Sequence, residues 1–178
     1  AGRVRDAPAS SEDAGLIATK GRSWVFTHVY FMVAGFSSTN MPYPHRSPLV
    51  GVSCMAFLCP LVAAPCGMPR VVQAMWVLQA FASFTSDCWF CGRTSLTHGL
   101  DRWVAPSMML YAIIQSWNKL GIVYTVAVLL VPCYSYGRGV RALRRRELGA
   151  WVLWHSAWHF TGGSLAALTE HLVRCVYV

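Results

Sequence analysis

Six long stretches of this chain contain no Asp, Glu, Lys or Arg: Ser23–His45, Ser47–Pro69, Val71–Ser86, Trp103–Asn118, Leu120–Gly137 and Leu148–Thr169. A water-soluble domain of this size needs a charged face on nearly every helix. A chain that omits it must be surrounded by lipid or by other protein. Charged residues make up 12% of the sequence and hydrophobic residues 55%, so the charge content is roughly half that of an ordinary globular domain. The expectation is an all-α fold, a polytopic transmembrane helical bundle of about six helices. The apolar runs are continuous and do not alternate, which argues against a β-barrel.

Spanning the hydrocarbon takes about 20 helical residues, with a range of roughly 17–25. Four stretches reach that length. Val71–Ser86 and Trp103–Asn118 fall short. These two helices are therefore expected to be buried against neighbours, or one of them tilted or re-entrant. Residues 1–22 are polar and mixed in charge, with no apolar core of a secretory signal. They read as an N-terminal arm, either a tail or a segment ordered on a partner. Residues 23–178 read as one helical domain. Pro60 should kink the second stretch. The segment 91–101 reads as a loop. Asn118–Lys119–Leu120 reads as a tight turn between two antiparallel helices. Gly162 and Ala166 form a small-residue pair suited to close helix packing.

The net charge of +8 does not point to nucleic acid, because the basic residues sit between apolar stretches, where they meet anionic headgroups. Arg138, Arg141, Arg144, Arg145 and Arg146 form the one dense cluster. Arg141, Arg144, Arg145 and Arg146 are the candidate contacts for phospholipid headgroups, cardiolipin among them; a plain topogenic charge cluster is the other reading. Counting basic residues on the two sides leaves the membrane orientation open. The seven cysteines are odd in number and lie in or beside apolar runs, so they read as small hydrophobes. Cys88 and Cys91 have redox-motif spacing but no thioredoxin-like scaffold.

One constellation could carry chemistry. His155 and His159 are four residues apart and share one helix face. That spacing suits two imidazoles on one metal ion, but a zinc site needs three or four protein ligands. An up-and-down path would bring Asp87, His98 and Asp101 to the same end of the bundle. His98, His155 and His159 are then the candidate metal ligands, with Asp87 and Asp101 the candidate catalytic carboxylates. The simpler alternative is that the histidines hydrogen-bond between helices or to an acidic partner. Membrane histidines also ligate haem. His28 and His155 are the candidate axial ligands, with Gly35 and Gly162 leaving room for a ring.

HSAWHFTGG resembles the last-helix HxxWH pattern of the alkaline ceramidase, adiponectin receptor and GPI-remodelling hydrolase superfamily. Leu100–Ala105, LDRWVA, resembles the segment that carries that family's aspartate. The resemblance implies zinc on His155 and His159, with Asp101 helping to activate water. The family also has a serine four residues before a histidine at the end of an early helix. Set against this chain, Asp87 takes the serine position and Cys91 the histidine position. The family has seven helices, four of them between those motifs; this chain has room for two.

Three functional readings follow. The first is an accessory or structural subunit of a multiprotein membrane complex, such as a respiratory-chain complex, without a catalytic centre or cofactor of its own. Its partners would be other membrane subunits and phospholipids. The mitochondrial inner membrane is the expected location, with the endoplasmic reticulum as the alternative. The second is a zinc-dependent lipid amidase or esterase of ceramidase-like type. The third is a haem-binding membrane anchor.

Overall fold

The computed structural model describes residues 46–64 and 67–176. The polar arm of residues 1–22, the first charge-free stretch and the haem candidate His28 lie outside the described residues. Every regular element among the described residues is helical. Helix α1 covers 48–63 in three pieces: Pro48–Cys54, a 3-10 turn Met55–Leu58, and Cys59–Ala63. Helix α2 is Arg70–Phe84 and continues into a π turn, Thr85–Trp89. Helix α3 is Leu96–Leu120, α4 is Ile122–Arg144, and α5 is Leu148–His171, extended by a second π turn, Leu172–Val176.

Local sequence explains these boundaries. Ser47 caps α1 by accepting from the Val50 amide, and Pro48 occupies the first helical position, where a missing N–H costs nothing. Ser95 caps α3 by accepting from the Thr97 amide at 3.2 Å. The cap starts α3 seven residues ahead of the charge-free stretch, so most of the expected 91–101 loop is helix. Helix α3 is 25 residues long, but the added residues include Asp101 and Arg102, so the short charge-free run stays as expected. The expected turn Asn118–Lys119–Leu120 is also helical. The reversal falls one residue later, on Gly121, whose φ of 85° only glycine adopts without strain.

Helices α4 and α5 form the most extensive pair, and α1 packs against α5 and α2. Pro60 lacks the amide that would bond the carbonyl of Ala56. The helix answers with the 3-10 turn rather than a smooth continuation. The Ala56 carbonyl sits against Gly163 of α5, so closely that a Cβ there would overlap it. The closest packing of α5 is therefore at Gly163. Gly162, expected to serve that purpose with Ala166, has only Phe57 in range, 3.9 Å from where a Cβ would stand.

The distribution of polarity is unusual. The interior holds Ser53, Gln79, Ser83, Ser86, Asp87, His98, Arg102, Ser116, Ser156, His159 and Glu170, all buried. The exterior carries Val62 and Val123 at 81% exposure, Val71 and Leu96 at 69%, and Leu130 at 63%. Two small apolar clusters complete the core, one around Phe57, Trp76 and Met108, the other around Val50, Cys54, Cys91 and Trp151. No described helix is both long and apolar enough to cross a membrane. The fold is thus established as an all-helical bundle, and five of its helices are described.

Candidate metal centre

The site lies at one end of the bundle, where α2 ends and where α3 and α5 begin. The π turn delivers its first component. Phe90 donates its amide to the Thr85 carbonyl at 2.8 Å, a five-residue bond that inserts one extra residue into the turn. Ser86 and Asp87 both point inward as a result, and both are buried. Ser86 Oγ donates to Asp87 Oδ1 at 3.0 Å.

Across from Asp87 stand the two histidines of α5. His155 Nε2 lies 2.9 Å from Asp87 Oδ2 and His159 Nε2 lies 3.6 Å from the same oxygen. The two rings meet edge-on with centroids 4.5 Å apart, and His155 stacks on Trp151 at 4.7 Å. One donor atom from each of Asp87, His155 and His159 falls within 4.8 Å of the others.

The tautomer of His159 follows from α1. Ser53 Oγ donates to the Val50 carbonyl at 2.7 Å. Its hydrogen is committed there, so it accepts from His159 Nδ1–H at 3.0 Å. Nε2 then carries a lone pair, and it faces a carboxylate oxygen. Two acceptors turned toward each other in a buried pocket can share a cation or a proton between them. A hydrogen bond from Nδ1 that leaves Nε2 free is the arrangement metal-ligating histidines use. Two histidines and a carboxylate are also a three-ligand set of the kind found in catalytic zinc sites, which keep a fourth position open.

Next to this group is a second one. Ser83 Oγ donates to Asp101 Oδ1 at 2.5 Å. Gln79 Nε2 donates to the same oxygen at 3.2 Å and to Ser83 Oγ at 2.7 Å. Gln79, Ser83 and Asp87 are spaced by four along α2, so they form one stripe. Both donors use Oδ1 of Asp101, which leaves Oδ2 for a proton. Asp101 thus meets the same stripe of side chains that continues to Asp87.

The structure therefore brings together four of the five residues singled out by sequence. His98 stands apart. Its Nε2 donates to the carbonyls of Arg93 (2.8 Å) and Phe90 (3.2 Å), which closes the connection between α2 and α3. Cys91 lies in the apolar cluster with Cys54 and Trp151 rather than with the histidines. Asp87 stands among the histidines, and the serine that touches Asp101 is Ser83, one turn earlier. Ser53, Gln79 and Ser83 carried no sequence signal, because a helical serine or glutamine is ordinary and only its neighbours reveal its role. Cys88 forms no disulfide, and its Sγ donates to the Ser47 carbonyl at 3.8 Å. Arg141, Arg144, Arg145 and Arg146 are exposed at the same end of the bundle. Arg138 lies over the Trp154 ring at 4.8 Å and donates to the Tyr134 hydroxyl at 3.0 Å.

No protein-family model matches the chain, and no curated protein or solved structure matches it.

Proposed function

We propose that this chain is an integral-membrane, metal-dependent hydrolase that cleaves an amide or ester bond in a lipid. The observation that carries the reading is the meeting of His155 Nε2, His159 Nε2 and Asp87 Oδ2, with the His159 lone pair turned toward the carboxylate by Ser53. Asp87, His155 and His159 would hold zinc. Bound there, the ion supplies Lewis acidity and an activated water at neutral pH.

The chain's own residues supply the rest. Asp101 has Oδ2 available to take a proton from the attacking water and to pass it to the leaving nitrogen or oxygen. The sum is addition of one water across the acyl bond, giving a carboxylic acid and an amine or alcohol. Ser83 and Gln79 fix the rotamer of Asp101, so the base is preorganised. Ser53 holds the His159 ring in the correct tautomer. On this geometry, the family pattern that HSAWH and LDRWVA resemble is matched one turn earlier than the sequence suggests. Ser83 takes the serine position, and Asp87 replaces the histidine.

The membrane reading rests on the inverted polarity, with serines, histidines and carboxylates inside and Val62, Val71, Val123 and Leu130 outside. Helices of 23 to 25 residues extend about 35 Å, enough for a hydrocarbon layer of about 30 Å. Their hydropathy is lowered by Asp101, Arg102 and Lys119 in α3, by the arginines at the end of α4, and by the histidines, serines and tryptophans of α5. An accessory subunit without a centre fits the apolar exterior equally well, but leaves the convergence of acceptors without a purpose. A haem role has less support, because His155 is bound to Asp87 and stacked on Trp151.

The test is metal analysis of the purified protein, followed by hydrolysis of paired amide and ester lipids before and after chelation. About one zinc per chain and chelator-sensitive release of fatty acid are expected. A metal-free protein with no turnover on any acyl lipid sinks the proposal.

A further inference from the structure

One face of α4 changes character along its length. Val123, Ala127, Val131, Tyr134, Arg138 and Arg141 follow one another at spacings of three or four residues, so they form a single stripe. Arg138 is half-buried and the other five are exposed. The stripe is apolar at first, aromatic at Tyr134 and cationic beyond. Water suits its last part and hydrocarbon its first.

The guanidinium of Arg138 is held in place. It lies 4.8 Å from the centroid of the Trp154 ring on α5 and 5.8 Å from that of Tyr134. Its Nη1 donates to the Tyr134 hydroxyl at 3.0 Å, and Tyr134 stands edge-on to Trp154 with centroids 5.7 Å apart. A guanidinium carries five N–H donors in a rigid fork, of which the hydroxyl takes one. A fork already fixed by two rings loses little further freedom when it binds an anion.

Ion pairing and the helix dipole do not account for this arrangement. Among the described residues, the arginines of 138–146 meet one carboxylate, Glu147, at 3.9 Å from Arg145. The dipole favours cations in the last turn, which explains Arg141 and Arg144. Arg138 lies six residues before the end of α4, beyond that reach. Arg138 and Arg141 share a face with like charges, which repel unless an anion sits between them. The stripe also reaches the level of the metal group. A Cβ on Gly139 would stand 3.6 Å from the backbone nitrogen of His155.

We propose that Arg138 and Arg141 hold the phosphate of one phospholipid of net negative charge, whose acyl chain lies along Tyr134, Val131 and Ala127. The phosphate oxygens accept from both guanidinium forks, the geometry arginine matches best. A zwitterionic phospholipid carries the same phosphate, but its ammonium group places a positive charge beside the arginines and weakens binding. Free phosphate meets the arginines without the apolar part of the stripe. The inference rests on the membrane part of the proposed reading and not on the metal.

The experiment uses the full, delipidated chain in non-ionic detergent, with native mass spectrometry counting the lipids bound. The probes are phosphatidylglycerol and phosphatidylcholine with identical acyl chains, and glycerol 3-phosphate as a chainless competitor. Phosphatidylglycerol should bind at least roughly fivefold more tightly than phosphatidylcholine, and each arginine lost should cost roughly fivefold. Arg138→Gln with Arg141→Gln should therefore bring the two lipids to within about twofold. Arg70→Gln with Lys119→Gln, at the opposite end of the bundle, should leave the preference unchanged. Should the first pair fail to keep its helical circular dichroism, Arg141→Gln alone, at an exposed residue, gives the same test. Equal binding of both lipids by the unaltered chain overturns the proposal. So does a preference that survives loss of Arg141, or displacement of the lipid by glycerol 3-phosphate at equal concentration. Carbonate extraction from vesicles is scored on the same protein. A chain that leaves the vesicles sinks the membrane reading; one that stays but binds both lipids equally sinks this inference alone.

Discussion

At the scale of single residues, Ser53 decides which nitrogen of His159 is free. Its hydroxyl hydrogen goes to the Val50 carbonyl, so its oxygen must accept from Nδ1. Ser53→Ala should therefore weaken zinc binding by about 10- to 100-fold, the usual effect of losing an outer partner of a ligating histidine. Competition with a chromogenic chelator measures this. Asp87→Asn removes a ligand charge and should take the purified protein to less than a tenth of the wild-type metal content, with its helical circular dichroism kept. Retention of stoichiometric zinc in Asp87→Asn would remove Asp87 from the site. The histidine pair was legible in the sequence because a four-residue spacing fixes a shared helix face. Asp87 was legible as an oddity among apolar residues, but its role was not. The π turn shifts the register by one residue, and nothing in Thr85–Trp89 announces it. Ser53 and Ser83 were illegible for a different reason: their function is relational and exists only after α1 meets α5 and α2 meets α3.

At the scale of elements, one proline governs how α1 meets α5. Pro60 cannot donate to the Ala56 carbonyl, so the Cys59 amide bonds it instead in the 3-10 turn, and the carbonyl is set against Gly163. A methyl at position 163 would overlap both the Ala56 carbonyl and its side chain. Gly163→Ala should force the helices apart and destabilise the bundle by about 1–3 kcal/mol. Gly162→Ala, with open space and only Phe57 nearby, should be close to neutral. Unfolding midpoints of the two variants in mixed micelles make the comparison. A second element-level device is the hinge at Gly121, where φ is 85°. Gly121→Ala should cost about 1–2 kcal/mol through the left-handed backbone it imposes on a residue with a Cβ. Helix identity was legible here from apolar run length, but boundaries were not. Ser95 acts as a cap only because Thr97 and His98 follow it into a helix, and Gly121 was hidden behind a more conspicuous Asn-Lys pair.

At the scale of the whole molecule, the polarity is arranged from the centre outward. The arginine turn, 138–146, and the metal group share one end of the bundle, since His155 is only seven residues past Leu148, about 10 Å along α5. Under the membrane reading, the site sits just beneath the headgroup layer, and the arginines hold anionic lipid at its rim. A charge placed on the outer face of α4 tests this picture. Leu130 lies near the middle of that helix at 63% exposure. An aspartate at the centre of a membrane-spanning helix costs about 2.5–3.5 kcal/mol of insertion free energy. On a surface facing water, the same change is close to neutral, within about 0.5 kcal/mol. Leu130→Asp should accordingly cut the fraction that resists alkaline carbonate extraction from vesicles. Asn118→Asp, a conservative change at another exposed position nearer the end of α3, serves as the comparison. Leu130→Asp protein that remains in the supernatant, monomeric and fully helical without detergent, would show that water and not lipid surrounds the bundle. The apolar exterior would then have to be a docking surface for other protein.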